Sequence, residues 1–197
     1  MRNMKNLDYG LIGNCTSAAL VSRYGCIEWC CLPYFDSTAF FAKLLDRKIG
    51  GEFAINVAAG YKISQHYLRK TNILVTSFQR GKDQFEVIDF MPRYKRDSGA
   101  YHCPPDIVRY IKHISGKPII RVNYNPRPGY GLNEVKKEVR REYIKVLTVR
   151  GPYESIYLYS DLEYRWIAEG KPIRIEQDHY FLLSYNIMHA FFRHMPE

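Results

Sequence analysis

The side chains in this sequence with most chemistry to offer are its carboxylates, thiols and imidazoles. By type alone, Glu28, Asp36, Asp89, Asp106, Asp161 and Glu163 could serve as general acids or bases. That work needs two groups whose surroundings push their protonation apart. Several of these acids have a plainer role. Asp36 stands before an apolar run and has the residue type of a helix N-cap. Asp89 precedes Phe90-Met91-Pro92, a strand–Pro corner in which a carboxylate bonds its own turn. Asp161 and Glu163 would share one strand face, in solvent. No catalytic residue is therefore assigned in this chain. The thiols are Cys15, Cys26, Cys30, Cys31 and Cys103. Cys26 and Cys30 have C-x3-C spacing and there is no CxxC pair, so they read as small buried apolar residues rather than zinc ligands. His66, His102, His113, His179, His189 and His194 show no ligand spacing. Neither metal nor cofactor is expected.

The elements that must carry these residues are strands almost throughout. Tyr9–Gly13, Ala18–Ser22 and Cys26–Cys31 are short apolar runs, and Arg23-Tyr24-Gly25 between the last two reads as a hairpin turn. A second hairpin joins 72–80 to 84–90 through Gly81-Lys82-Asp83. Further strands are expected at 107–115, 118–124, 142–149, 154–159, 172–177 and 179–186. Ser155–Tyr159 alternates cleanly, with Ile156 and Leu158 on one face and Tyr157 and Tyr159 on the other. Many short strands at this spacing predict a mainly β fold, an antiparallel two-sheet β-sandwich. One stretch departs from the pattern. Phe40, Phe41, Leu44 and Leu45 recur at helical spacing behind Asp36 and Ser37, which predicts one short helix near residues 37–45. A single sandwich domain over residues 1–190 is the economical reading.

Composition narrows the class. The chain has 197 residues, 46% of them apolar and 15% aromatic. This excludes disordered and collagen-like chains and allows a core without disulfide staples. Its net charge of +9 divides almost evenly between the halves, as +5 over residues 1–100 and +4 over the rest. Lys136-Lys137-Glu138-Val139-Arg140-Arg141 is the densest basic run and carboxylates break it up, whereas a nucleic-acid footprint concentrates its cations on one face. A basic nucleic-acid-binding β protein is the weakest reading. No window approaches the roughly 18 apolar residues of a membrane span, and the N-terminus has no signal-peptide pattern. With an odd number of cysteines, a cytoplasmic location is expected.

The spaced residues from Asp8 to Phe53 carry a resemblance. They are Asp8-Tyr9-Gly-Leu-Ile-Gly13, Ala18-Ala-Leu-Val21, and Gly25-x-Ile27-x-Trp29-x-Cys31-Leu-Pro33-x-Phe35-Asp36-Ser37, then Leu44-Leu45-Asp46 and Gly50-Gly51. Tyr67-Leu68, Asp89-Phe-Met-Pro92 and Arg109 through Gly116 continue it to about residue 185. The pattern resembles the N-terminal, supersandwich-like domain of glycoside hydrolase family 15 proteins, the glucoamylase- and trehalase-like enzymes. Tyr34 and Cys30 stand where family members often carry Arg and Leu.

The resemblance implies an inverting α-glycosidase as the parent enzyme. Its two catalytic carboxyls, about 6.5–9.5 Å apart, belong to an (α/α)6 barrel that follows the β domain. Six helical hairpins need roughly 300 residues, so residues 191–197 are expected to begin a linker toward that barrel. The implied partners are the barrel and, through the parent enzyme, an α-glucan or trehalose. Within this chain the site candidates are Trp29, Pro33, Tyr34, Phe35 and Asp36, an aromatic corner serving either as a sugar-facing rim or as a surface that docks on the barrel. In the docking reading, Trp29 and Phe35 are core. An autonomous carbohydrate-binding module is the alternative, to which Tyr157, Tyr159 and Tyr164 would contribute.

Overall fold

The computed structural model describes residues 8–186. In chain order the strands are β1 (Tyr9–Gly13), β2 (Ala18–Ser22), β3 (Ile27–Cys31), β4 (Ala39–Phe41), β5 (Glu52–Val57), β6 (Lys62–Tyr67), β7 (Leu74–Arg80) and β8 (Asp83–Phe90). The short pair β9 (Tyr94–Lys95) and β10 (Tyr101–His102) follows, then β11 (Asp106–Ser115), β12 (Ile119–Asn125), β13 (Val135–Val139), β14 (Ile144–Thr148) and β15 (Ser155–Ser160). Helix α1 (Tyr164–Glu169) precedes β16 (Pro172–Arg174) and β17 (His179–Tyr185). His189, His194 and the expected linker at 191–197 lie outside the described residues.

The strands form two main antiparallel sheets. The first runs β1-β2-β3-β5-β12-β16, with β4 also paired to β3. The second runs β13-β14-β15-β17-β11-β8-β7-β6. Alternation places one face of each sheet inward. Ile27, Phe53, Ile55, Ile120 and Val122 of the first sheet share a core with Phe78, Phe85, Val87, Ile111, Ile156, Leu158 and Phe181 of the second. This is the expected two-sheet antiparallel sandwich. Both expected hairpins are present, as β2–β3 and β7–β8.

Among the described residues the one helix lies elsewhere than its expected position. Residues 37–45 contain β4 and a turn rather than a helix, so Asp36 caps nothing and is exposed in a turn. The cause is a bulge. Cys30 pairs with Phe41 and Cys31 with Ala39, leaving Phe40 as the extra residue. Phe40 and Phe41 are both wholly buried, and two neighbouring inward side chains imitate helical spacing. The helix is α1, opened by Glu163, whose carboxylate accepts from the Arg165 N–H, and closed by Gly170 at φ 62°, the left-handed cap that glycine adopts without cost.

Candidate functional site

The aromatic corner is only partly buried. Trp29 lies against a small apolar group of Cys31, Ala39 and Ala42, separate from the main core. Its ring centre is 6.0 Å from that of Tyr130. A second bulge explains its position. Leu20 pairs with Trp29 and Val21 with Ile27, so Glu28 is the extra residue of β3. After the cis peptide bond Leu32–Pro33, the chain turns through Tyr34–Ser37, with Ser37 N donating to Tyr34 O at 3.2 Å. Tyr34 and Phe35 are 59% and 60% exposed. Phe35 is therefore surface, not core. Its backbone N–H anchors the turn to Thr16 O at 3.0 Å.

Two further loops gather around β4. Arg127 N donates to Phe40 O at 2.7 Å and Tyr130 N to Ala39 O at 3.2 Å, while Ala42 N reaches Gly50 O at 2.7 Å. Leu45, Ile49, Tyr130 and Leu132 on these loops are exposed, as are Tyr34 and Phe35. The sequence does not show the gathering of Tyr130 and Leu132 with this corner, because it depends on long-range bonds to the β4 carbonyls.

Beside the corner lies a polar network. Tyr9 Oη donates to Glu28 Oε2 at 2.6 Å, and Lys43 Nζ lies 3.5 Å from Glu28 Oε1 and closer still to Glu52 Oε2. Cys26 Sγ donates to Glu52 Oε2 at 2.9 Å, and Asn123 Nδ2 to Glu52 Oε1 at 2.8 Å. Burial and the bond to Glu52 push the Cys26 thiol well up, which keeps it protonated and unreactive. Burial alone would lower the Lys43 ammonium, but Glu52, Cys26 and Glu28 hold it above its ordinary value. One ligand atom from each of Cys26, Glu28 and Glu52 fits within a 4.8 Å group, a spacing a metal ion could use. The Lys43 ammonium already bonds both carboxylates, so the group carries its own cation.

Four of the other candidate acids are also engaged. Asp89 was expected to bond its own turn but instead pairs with Arg109, both wholly buried. Asp161, expected to be solvated, lies 2.7 Å from His179 Nδ1 and accepts from Tyr180 N at 3.0 Å. Glu163 is the helix cap rather than a strand residue. Asp106 accepts from the Ser184 hydroxyl at 2.7 Å.

A larger depression lies at the far end of the second sheet. Its walls include Tyr143, Tyr159, Tyr164, Trp166 and Tyr180. Tyr159 and Tyr164 are two of the three tyrosines that the carbohydrate-module reading invokes. Tyr157 lies beside them, with its ring stacked 6.2 Å from that of Tyr159. Trp166, one of two tryptophans in the chain, is absent from the candidates that the sequence pattern offers. The signal available was its place just before Gly170, the helix stop.

Comparison with known proteins gives a consistent assignment. A family model described as "Trehalase-like, N-terminal" matches residues 5–170. The protein "Trehalase" of Thermoplasma volcanium is 36% identical over 126 residues, covering 62% of this chain and 20% of that protein. "Trehalase 1" of Sulfolobus acidocaldarius is 32% identical over 198 residues, covering 93% of this chain and 34% of that protein. The chain thus spans between a fifth and about a third of the length of these relatives. No solved structure matches it. The chain belongs to the trehalase-like N-terminal domain family.

Proposed function

We propose that this chain is the non-catalytic N-terminal domain of a glycoside hydrolase family 15 inverting α-glycosidase, and that it packs against and stabilises an (α/α)6 catalytic barrel. The observation that carries this reading is the apolar surface around β4. Tyr34, Phe35, Leu45, Ile49, Tyr130 and Leu132 are exposed there on loops held by backbone hydrogen bonds. Exposed apolar groups collected in one place mark interaction surfaces, and rigid loops reduce the entropy lost on docking. The engaged state of Glu28, Asp89, Asp106, Asp161 and Glu163 supports placing the hydrolytic carboxylates on the barrel rather than on this chain. Trehalose or an α-glucan is the substrate class of the parent enzyme in this reading, by likeness to relatives named as trehalases. The five free cysteines fit work in a reducing cytoplasm.

The test is to produce the chain alone and with a separately produced barrel from a trehalase-like parent. Alone, it should bind a hydrophobic dye and release no glucose from trehalose or maltose. With the barrel, it should form a one-to-one complex and lose the dye signal. Glucose release by the chain alone, or the absence of a complex, would overturn the proposal.

A further inference from the structure

The depression at the far end of the second sheet is a cleft of ≈ 1520 Å³ between α1, the end of β13 and the facing ends of β14, β15 and β17. Its geometry is tightly held. The Tyr164 hydroxyl accepts from Ser160 N at 3.1 Å and lies 2.9 Å from the carbonyl oxygen of Glu142, which ties the first turn of α1 to the β13–β14 connection and the end of β15. Asp161 is fixed between His179 and the Tyr180 N–H. Ile167, 2% exposed, anchors the helix to the core. The neighbouring Trp166 is turned the other way and is 46% exposed at the cleft.

The lining has the chemistry of a hydroxyl-rich ligand with apolar faces. Trp166 offers an open indole beside a wall of tyrosines. The cleft is lined by four basic residues, Arg140, Arg141, Arg165 and Lys171, and four acidic ones, Glu142, Asp161, Glu163 and Glu169. Their formal charges cancel, which disfavours a polyanion or a sugar phosphate. Guanidinium and carboxylate groups both bond vicinal hydroxyls, while aromatic faces pack against the C–H face of a pyranose ring. Among the described residues, Arg141 and Arg165 make no ion pair within 4.0 Å, whereas Arg140 and Lys171 are paired with Glu138 and Glu169. The volume exceeds the 300–1,000 Å³ typical of small-molecule pockets, room enough for more than one sugar ring.

We infer that this cleft binds a neutral saccharide, with one pyranose ring stacked on Trp166. The site is distinct from the surface around β4. Ser160 of β15 lies at the cleft, while Ser155 at the other end of the strand lies beside Glu154, which accepts from Thr38 before β4. That separation is about 17 Å at 3.3 Å per residue. The inference does not rest on barrel docking, and either can fail alone.

The two tryptophans make the test direct. In a Trp29→Phe variant of the 197-residue chain, Trp166 is the only indole. Titration with maltotriose, and separately with trehalose, should give a saturable change in its emission for at least one sugar, with a Kd on the order of 1 mM. Trp166→Phe and Arg165→Gln, with folding checked by circular dichroism, should each weaken binding, the first by about tenfold or more when followed by NMR shifts. Arg165 is exposed, so its variant keeps the test available should Trp166→Phe not fold. The absence of saturation with both sugars would overturn the inference. So would unchanged binding in the variants, or tighter, salt-sensitive binding of glucose 6-phosphate than of either neutral sugar.

Discussion

Arg109 Nε donates to Asp89 Oδ1 at 2.8 Å, and the two residues stand directly opposite each other on β11 and β8 with both side chains wholly buried. The guanidinium also donates to the backbone oxygen of Phe53 on β5 of the other sheet at 2.7 Å and to that of Gly25 in the β2–β3 turn, and lies 4.8 Å from the Phe53 ring centre. Burial pushes the Asp89 carboxyl upward and Arg109 pulls it back. One side chain thus joins a carboxylate on its own sheet to two carbonyls across the sandwich.

Breaking this pair leaves a buried charge without its partner. Asp89→Asn and Arg109→Met should each cost about 3–5 kcal/mol, and the double change Asp89→Leu, Arg109→Met should recover part of that loss. Urea unfolding with an unchanged slope measures it. A single variant within about 1 kcal/mol of the parent would refute the clamp.

Tyr124 points a buried hydroxyl at no hydrogen-bond partner among the described residues, while its ring packs 5.4 Å from that of Phe53. Tyr124→Phe should leave stability unchanged or raise it by up to about 1 kcal/mol. Thermal unfolding of the two proteins side by side decides it, and a clear loss would mean that the hydroxyl is bonded.

Asp161 titrates with a defined sign. Burial raises its carboxyl, but the bonds from His179 and the Tyr180 N–H more than offset this and hold it below the ordinary carboxylate range. A depressed carboxyl stabilises the fold above its unfolded value and loses that contribution as the pH falls through its folded value. Asp161→Asn should therefore destabilise the protein near pH 6, and the gap from the parent should narrow below about pH 4. A gap that stays constant with pH would argue against an ionised Asp161 carboxylate at this position.

Gly51 sits at φ 72°, and a methyl group there would run into the Asn125 carbonyl oxygen. Gly51→Ala should cost about 2 kcal/mol or more, from left-handed strain and the backbone clash together. Gly151, at φ 89° with open space around it, serves as the control that carries strain alone. Denaturant midpoints of the two variants should separate the contributions.

Replacing both Tyr34 and Phe35 with Ser should lower hydrophobic-dye binding and self-association of the isolated chain while leaving its unfolding midpoint within about 0.5 kcal/mol of the parent. Unchanged dye binding would place the exposed apolar surface elsewhere.

Much of the sandwich was legible because alternation and turn chemistry are local. Ile156 and Leu158 face the core as their spacing requires, and Gly25 and Gly81 mark real hairpin turns. The bulges were not legible. Phe40–Phe41 and Glu28–Trp29 each place neighbouring residues where strict alternation would separate them, and only the partner strand reveals this. Lys136, Lys137 and Glu138 read as a charge cluster, yet they form an edge strand whose charges discourage further pairing. The candidate sites were least visible. The surface around β4 and the Trp166 cleft each collect residues from segments far apart in sequence. Only register brings Asp89 to Arg109.

The reach of Arg109 also bears on how the chain folds. Its bonds close loops of 56 residues to Phe53 and 84 residues to Gly25, so the clamp forms only after β1 to β8 and the start of β11 have been synthesised. Closures of that span make folding slow, since their entropy is lost before the contacts are gained. The early strands must therefore wait, with apolar faces open, for β11 to arrive. During synthesis Arg109 marks the first point at which the two sheets can be tied together, while the core still lacks β12 to β17.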